Sequence, residues 1–442
     1  MFLILFNISF NSILSHYVPK LLIYNQFTFS IMQRFFILIL VSKLLASCNS
    51  VTNKTEQPSI QEIKSPAGTN SKLPYLVKGD DEHLYMSWVE IVDHDSVLLK
   101  YSKMTNQEWS TPETIASGTD WFVNWADYPM IAIDSNGNML AHYLQKSAIG
   151  TYTYDVKVSR KKRKERWSES SKPHTDSTQS EHGFVSLLPW TNGKFLISWL
   201  DGRYTVSDTS AIDHDDHAQK GAMTVRSAII DMNGQLTDEF ELDHRVCDCC
   251  QTSATMTPNG PIVVYRDRSE DEVRDMSIVR LLDGEWTAPQ IINHDNWEIA
   301  GCPVNGPRVT SMGDYVAVTW FTAAQDSAQV KLAFSNDGGA TFGQPIIVDN
   351  TYPQGRVDVV STDYHTVAVS WLDEDSGEAI IKTAQYNEHG RIGDEIHITA
   401  TSPARQSGFP QMEYYNGKLY YAWADLNSGK IAMSEMSILT SK

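Results

Sequence analysis

The sequence has little of what membrane proteins, nucleic-acid binders and helical proteins require. Lys and Arg number 36 against 54 Asp and Glu, so the formal net charge is −18 and a phosphate backbone would be repelled. Long apolar runs occur only near the N-terminus, which excludes a polytopic membrane protein. No stretch of useful length elsewhere has helical periodicity. With 17 Pro, 25 Gly and 41% hydrophobic residues, the chain is neither collagen-like nor wholly disordered.

The N-terminal region has the order of an export signal. From Met32, a short basic segment with Arg34 precedes the apolar run Phe35–Leu45, and the residues Leu45-Ala46-Ser47-Cys48 follow. These last four residues resemble a bacterial lipobox. The resemblance implies cleavage before Cys48 and lipidation of its thiol, with Met32 as the true start of the protein.

Three segments follow from this signal. Residues 1–47 are expected to be a signal region, residues 48–58 a lipidated polar tether, and residues 59–442 a single domain. The alternative is that the upstream apolar block Phe2–Ile13 is a genuine membrane segment. A lipoprotein would lie in a bacterial cell envelope, in the periplasm or at the outer membrane, where the remaining cysteines meet oxidising conditions.

A short pattern recurs seven times after the tether. Each instance is a turn followed by four to six alternating or apolar residues that end on an aromatic residue. The seven aromatic residues are Trp88, Tyr143, Trp199, Tyr265, Trp320, Trp371 and Trp423. Their separations of 55, 56, 66, 55, 51 and 52 residues indicate a β-propeller.

The predicted fold is all-β, a seven-bladed β-propeller with four strands in each blade. Little sequence remains after the third strand of the last repeat, whereas Ser59–Pro66 has the pattern of an outer strand. We expect this early strand to complete the last blade and close the ring, which removes exposed sheet edges. A six-bladed ring is the main alternative. We expect a monomer.

One turn carries a family resemblance. Ser335, Asp337, Gly339, Thr341 and Phe342 match every defined position of the Asp-box, S-x-D-x-G-x-T-[FW]. The chain therefore resembles the sialidase-like (BNR-repeat) propellers. The resemblance implies that Asp-box turns lie on the face opposite the active site. It leaves the chemistry open, since the Asp-box is structural.

Sialidase chemistry implies an arginine cluster for the substrate carboxylate, a Tyr nucleophile with a Glu, and an Asp acid/base. Arg266, Arg308 and Arg356 occupy adjacent blades and could converge at the channel mouth, or they could form ion pairs with the acidic surface. Glu298 and Asp127 are the carboxylate candidates for acid/base chemistry. A Tyr–Glu pair cannot be assigned from spacing. The arginine of the sialidase F/Y-R-I-P motif is absent, since the corresponding residues 71–75 read SKLPY.

The most distinctive segment is rich in cysteine. His244, Cys247, Cys249 and Cys250 precede one blade and Cys302 precedes the next, so the thiols could meet at adjacent blade starts. Disulfides are one interpretation, since the protein is exported. A copper or zinc site is the other, with help from His182 or His294. The His-Asp-Asp-His stretch at 214–217 is either a solvated loop or a site where carboxylate and imidazole groups hold calcium or a transition metal.

Two functions therefore remain open from the sequence. The first is an envelope lipoprotein that binds an anionic glycan or glycoconjugate and cleaves it as an exo-glycosidase, for which no cofactor is expected. The second is a non-enzymatic propeller that handles a metal or assists assembly through its Cys- and His-rich loops. Nucleic acid is not expected as a partner in either case.

Overall fold

The computed structural model describes residues 59–93, 96–206, 221–375 and 377–438. Contacts group residues 58–442 into one compact unit. Within the described residues there is no α-helix, and three short 3-10 turns occur at Thr191–Gly193, Ala324–Asp326 and Arg405–Ser407. None of the described segments is a helix long and apolar enough to cross a membrane.

The described strands form seven sheets, numbered here as blades. Blade 1 contains β2 (Ser71–Lys78), β3 (Leu84–Ile91), β4 (Val97–Thr105), β5 (Glu108–Trp109) and β6 (Glu113–Gly118). Blade 2 contains β7 (Ile131–Ile133), β8 (Met139–Lys146) and β9 (Tyr154–Lys161). Blade 3 contains β10 (His182–Pro189), β11 (Lys194–Asp201), β12 (Met223–Asp231) and β13 (Leu236–Val246).

The remaining four blades follow the same plan. Blade 4 contains β14 (Ser253–Thr257), β15 (Gly260–Arg266), β16 (Met276–Leu282), β17 (Glu285–Trp286) and β18 (Gln290–Asn293). Blade 5 contains β19 (Arg308–Met312), β20 (Tyr315–Thr322), β21 (Gln329–Ser335) and β22 (Ile346–Asp349). Blade 6 contains β23 (Pro353–Asp363), β24 (Thr366–Asp375), β25 (Glu378–Asn387) and β26 (Gly390–Thr401). Blade 7 contains β27 (Gln411–Tyr415), β28 (Lys418–Asp425), β29 (Lys430–Ser437) and β1 (Ile60–Ile63).

The fold is the predicted seven-bladed β-propeller, and the six-bladed alternative is wrong. Strand β1 pairs antiparallel with β29, from Ile60 opposite Met436 to Ile63 opposite Met433, so the early strand completes the last blade. The first strands of neighbouring blades contact one another around the ring, including β27 with β2. In blades 1 and 4 the outer strand is divided into two segments, β5 and β6 or β17 and β18, that pair with the same third strand, and in blade 2 the outer position holds only a bridge between Val158 and Ser171.

The recurring aromatic residues lie on the second strand of each blade and pack between sheets. Trp88, Trp199, Trp320 and Trp371 are almost completely buried. Burial of such a ring contributes about 4–6 kcal/mol. The Trp371 indole also donates to Asp349 at the end of the preceding blade, over 2.7 Å. This bond satisfies a buried indole N–H and fixes one blade against the next.

Candidate functional site

The loops that lead into each blade and those that join its second and third strands lie at one end of the ring, called here the upper face. Three inner strands bulge as they start there, and Leu73, Phe184 and Arg356 have positive φ angles of 55°, 52° and 48°. Non-glycine residues seldom adopt this conformation, and bulges re-aim side chains and main-chain donors. The upper face is therefore the strained end of the inner strands.

Arg308 lies at the start of the inner strand of blade 5, pairs with an aspartate of the adjacent blade 6 and also contacts a tyrosine that precedes blade 2. Its Nε donates to Asp358 Oδ1 over 2.9 Å, and its Nη1 donates to the Tyr128 hydroxyl over 3.3 Å. Burial would lower the pKa of Arg308, but the Asp358 carboxylate raises it above its usual range. The Arg308 side chain is 16% exposed, so its guanidinium group remains partly accessible to a ligand.

Arg266 and Arg356 hold the upper face together. The Arg266 guanidinium donates to the carbonyls of Arg274, Asn305 and Phe321 and stacks on Trp297. The Arg356 guanidinium donates to Ser407 and to main-chain carbonyls of residues 403–408, and it stacks on Trp125. The three predicted arginines therefore have separate sets of partners. Arg308 has the partners and exposure that suit a ligand best.

Asp127 meets a tyrosine and a glutamate that the sequence did not identify. Its Oδ2 accepts the Phe184 N–H over 2.9 Å, and a Cβ at Gly183 would overlap that oxygen. The Tyr154 hydroxyl donates to Glu181 Oε1 over 2.6 Å. Burial raises the pKa of Asp127 to about 8, and Glu181 adds to the rise. We call Asp127, Tyr154 and Glu181 the carboxyl group cluster.

Within this cluster Glu181 is the carboxyl that solvent can reach. Burial raises the pKa of Glu181 to about 7, the Tyr154 hydrogen bond opposes the rise, and Asp248 reinforces it. Asp127 and Tyr154 are buried, whereas Glu181 is half-buried. Glu298, the other predicted carboxylate, is exposed, and its main chain bridges to Val273. The only sequence signal for Glu181 was its place at the end of a long loop before an inner strand.

The cysteines meet at the upper face. Cys247 Sγ lies 3.4 Å from Cys250 Sγ and 4.0 Å from Cys249 Sγ, and the three sulfur atoms lie within 4.8 Å of one another. The Cys302 thiol contacts that of Cys249. All four are free thiols, so the disulfide interpretation is not what the structure contains. His244 does not join them, since its side chain is 86% exposed beside Asp243.

These four residues, called here the thiol cluster, lie among charged side chains. Arg274 Nη1 donates to Cys247 Sγ over 3.3 Å. Burial alone would raise the pKa of the Cys247 thiol, but hydrogen bonds from Cys249 and Cys250 and the positive charges of Arg266 and Arg274 bring it well below its usual range. Burial raises the pKa of Cys250 to about 12. The neighbouring thiols and guanidinium groups therefore favour the thiolate form of Cys247.

A second group of ligand-type side chains lies between blades 2 and 3. This imidazole cluster contains Asp155, His174, Asp176, His182 and Asp201. The two histidine rings stack with centroids 4.1 Å apart and planes 4° apart. His174 Nδ1 contacts Asp176 Oδ1 at 2.7 Å, while Nε2 of both rings is buried without a hydrogen-bond partner. Burial lowers the pKa of His174 to about 4.

The turn that resembles an Asp-box is fixed by its own side chains. Asp337 accepts hydrogen bonds from the main chain and the hydroxyl of Thr341, over 2.9 and 2.6 Å, and Ser335 accepts the Gly339 N–H over 2.9 Å. Gly339 has a φ of 80°, and Phe342 packs against the core between blades 4 and 5. The turn therefore serves structure rather than ligand binding.

Several sequence predictions lie outside the described residues. The signal region, the tether and lipidation at Cys48 fall in residues 1–58, and the calcium or transition-metal candidate at 214–217 falls in residues 207–220. His294 is exposed, and no ligand group forms around it among the described residues.

Comparison with known proteins identifies the fold. No family model and no curated protein matches the chain. Among solved structures, a PL25 polysaccharide lyase, an ulvan lyase bound to GlcA(1-4)Rha3S, has a TM-score of 0.51 at 12% identity over 84% of this chain and 95% of its own. The Penicillium chrysogenum α-L-arabinanase has a TM-score of 0.44 at 12% identity over 86% and 99% of the two chains.

A sialidase, the Hadza microbial sialidase Hz136, is more distant in structure. Its TM-score is 0.40 at 13% identity, over 68% of this chain and 63% of its own. The structural neighbours thus include lyase, arabinanase and sialidase propellers at low identity. The chain shares the β-propeller fold with carbohydrate-active enzymes.

Proposed function

We propose that the protein is a lipid-anchored component of a bacterial cell envelope whose propeller binds and cleaves an anionic glycan at the upper face. Glu181 is the observation that carries the proposal. Its carboxyl has a pKa of about 7, is half-buried and accepts the Tyr154 hydroxyl at 2.6 Å. A carboxyl that exchanges its proton near neutral pH suits general acid–base catalysis at a glycosidic bond.

Arg308 supplies the charge for an anionic sugar. Its guanidinium is partly exposed and donates to Asp358 through Nε and to Tyr128 through Nη1, so a carboxylate or sulfate could take its remaining donors. Asp127, whose pKa is about 8, keeps a neutral carboxyl beside Tyr154 and so limits the repulsion of an anionic substrate. Fold likeness to an ulvan lyase bound to a uronate-containing saccharide supports this substrate class.

The direct test is a panel of sialosides, uronate-containing glycans and sulfated glycans. We expect binding and turnover of at least one anionic glycan, a large loss of kcat in Glu181→Gln and a rise in KM in Arg308→Met. Glu285→Gln is the matched control, since this exposed glutamate lies in a hairpin of blade 4. An unsaturated uronate product would indicate elimination, and a new reducing end would indicate hydrolysis. Neither binding nor turnover across the panel would contradict the proposal.

The anchor has its own test. Cys48→Ser should release the protein from the membrane fraction without changing its melting temperature, because the described propeller begins only at residue 59. Continued membrane association of Cys48→Ser would instead favour the upstream apolar block as a membrane segment.

A second candidate function is metal handling by a non-enzymatic propeller. The observation that favours it is the compact group of three sulfur atoms at the upper face. Metal handling requires that a bound cation exchanges with a donor or an acceptor. A cation that binds but does not exchange would make the site structural.

A further inference from the structure

The sulfur positions of the thiol cluster match those of ligands around one cation. A disulfide would bring two sulfur atoms to about 2.05 Å. Thiolates bound tetrahedrally at about 2.3 Å lie roughly 3.8 Å from one another. The observed separations of 3.4 and 4.0 Å from Cys247 Sγ fall on either side of that value. Three sulfur atoms also share the contact, whereas a disulfide needs only two.

We propose that Cys247, Cys249 and Cys250 bind one thiophilic cation, Zn²⁺ or Cu⁺, and that Cys302 is its fourth ligand. Soft thiolates select these ions over hard cations such as calcium. Each thiol that binds gives its proton to solvent, and the metal keeps its oxidation state. Copper must therefore arrive as Cu⁺, since no reductant takes part. This inference deepens the second candidate function and is independent of glycan cleavage.

The surroundings are suited to a thiolate site. Arg274 donates to Cys247 Sγ at 3.3 Å and also to Glu272 Oε2 at 2.7 Å, which fixes the guanidinium against the sulfur. Arg268 pairs with Asp248, the residue between two of the cysteines, at 3.1 Å. Three or four thiolates carry more negative charge than one Zn²⁺ or Cu⁺ ion can neutralise. Nearby guanidinium groups offset the excess.

The main chain also fixes the ligands before any cation binds. The Cys247 N–H donates to the Arg266 carbonyl over 3.0 Å, and Val246 bridges to Asp267, so the cysteine segment is anchored to the end of β15. Cys247 and Cys250 are almost completely buried, and Cys249 is half-buried. A site held in this way needs little rearrangement to accept a cation.

Cys302 distinguishes the two ions. It is exposed and contacts Cys249, the half-buried member of the other three cysteines. Zn²⁺ prefers four ligands, so Cys302→Ser should weaken Zn²⁺ binding by about 100-fold or more. Cu⁺ can be held by three thiolates, and its affinity should then change little. Titrating Zn²⁺ and Cu⁺ separately into the wild-type protein and into Cys302→Ser therefore identifies which of the two ions the site suits.

The experiment measures metal and thiols in the same full-length protein. We expect about one zinc or copper per chain by elemental analysis and four reactive thiols after denaturation with a chelator, besides Cys48 where it is unmodified. Cys250→Ser should lose the metal, and Arg274→Met should keep the site but bind Zn²⁺ about tenfold more weakly. His244→Ala, an exposed neighbour of the cluster, is the matched control and should keep full metal content.

Two results would overturn the inference. Loss of reactive thiols in the denatured, non-reduced protein, with no metal, would show disulfides. Four free thiols that bind neither added ZnCl₂ nor Cu⁺ would show a thiol cluster without a ligand function. If Cys250→Ser does not fold, Co²⁺ substitution of the wild-type protein gives the same information, because thiolate-to-cobalt charge-transfer bands report sulfur ligation. Their absence in Co²⁺-loaded protein would reject sulfur ligation.

Discussion

The thiol cluster and the imidazole cluster both contain groups of three ligand-type side chains within 4.8 Å of one another, but they differ in how well their ligand atoms can be directed at one cation. A thiolate sulfur can bind a metal from many directions. An imidazole nitrogen binds only along its lone pair, which lies in the ring plane. The His174 and His182 planes differ by 4° and the ring centroids are 4.1 Å apart, so no single cation can lie in both planes. Ligand atoms that lie close together therefore bind one cation only if their lone pairs also point to the same position.

The imidazole cluster instead resembles a buried polar network. His174 contacts Asp176, and His182 lies 3.7 Å from Asp155 and from Asp201. Arg203 donates to Asp201 and pairs with Glu239, so the carboxylates have a cation already. Such a network stabilises one arrangement of blades 2 and 3 and depends on the protonation of its histidines.

Metal removal is expected to give the largest effect. A chelator should destabilise the wild-type protein by about 4 kcal/mol, the value for a ligand present at roughly a thousand times its Kd. The same chelator should leave Cys250→Ser unchanged, whereas it should still act on His182→Gln. Thermal unfolding with and without chelator measures both. Equal chelator effects in wild-type and Cys250→Ser would place the metal elsewhere.

Acid should affect the imidazole cluster next. Burial lowers the pKa of His174 to about 4, below the value of about 6.5 in an unfolded chain. Its neutral form therefore stabilises the fold above pH of about 6.5, and this stability is lost as the pH falls towards 4, by about 3 kcal/mol. His174→Gln should have a flatter acid profile between these values. An unchanged profile in urea unfolding would assign the acid sensitivity to other groups.

The carboxyl group cluster should respond in the opposite direction. The pKa of Asp127 is raised to about 8, whereas an unfolded Asp titrates near 3.9. The folded protein therefore binds this proton more tightly than the unfolded chain, which favours folding at low pH. This contribution to stability is lost as the pH rises towards 8. Asp127→Asn retains an acceptor for the Phe184 N–H and should be more stable than wild type above pH of about 7, on the order of 2 kcal/mol. A variant that is less stable at every pH would contradict this assignment.

Much of the fold was predictable from the sequence because it repeats. The aromatic residues Trp88 to Trp423 mark the second strand of each blade, and the outer-strand pattern near Ile60 predicted closure of the ring. Blade 2 was not predictable in the same way, since its outer position holds a bridge at Ser171 rather than a strand. A repeat shows where strands recur but not where a loop replaces one.

The site was predictable only where residues lie near one another in the chain or at equivalent blade positions. The thiol cluster was found because the cysteines precede adjacent blades. Tyr154 and Glu181 are 27 residues apart, and Arg308 meets Tyr128 across 180 residues. No spacing rule connects such pairs, because the ring and its bulges bring them together. The orientation of the histidine rings depends on packing and has no sequence signal.

The smallest effect should come from the exposed histidine beside the thiol cluster. His244 is 86% exposed and lies 3.6 Å from Asp243, so His244→Ala should change the free energy of unfolding by less than about 0.5 kcal/mol. Its metal content should equal that of the wild type. A loss of metal in His244→Ala, measured by elemental analysis, would make this imidazole a ligand after all.

X-ray absorption at the metal edge of the purified protein tests the central claim most directly, because it counts the atoms bound to the cation. Ligation by Cys247, Cys249, Cys250 and Cys302 predicts a shell of sulfur atoms alone at about 2.3 Å, with four sulfur atoms for Zn²⁺ or three for Cu⁺. The same spectrum should persist in His182→Gln. A shell of nitrogen or oxygen atoms at about 2.0 Å, lost in His182→Gln, would assign the metal to the imidazole cluster and contradict the account.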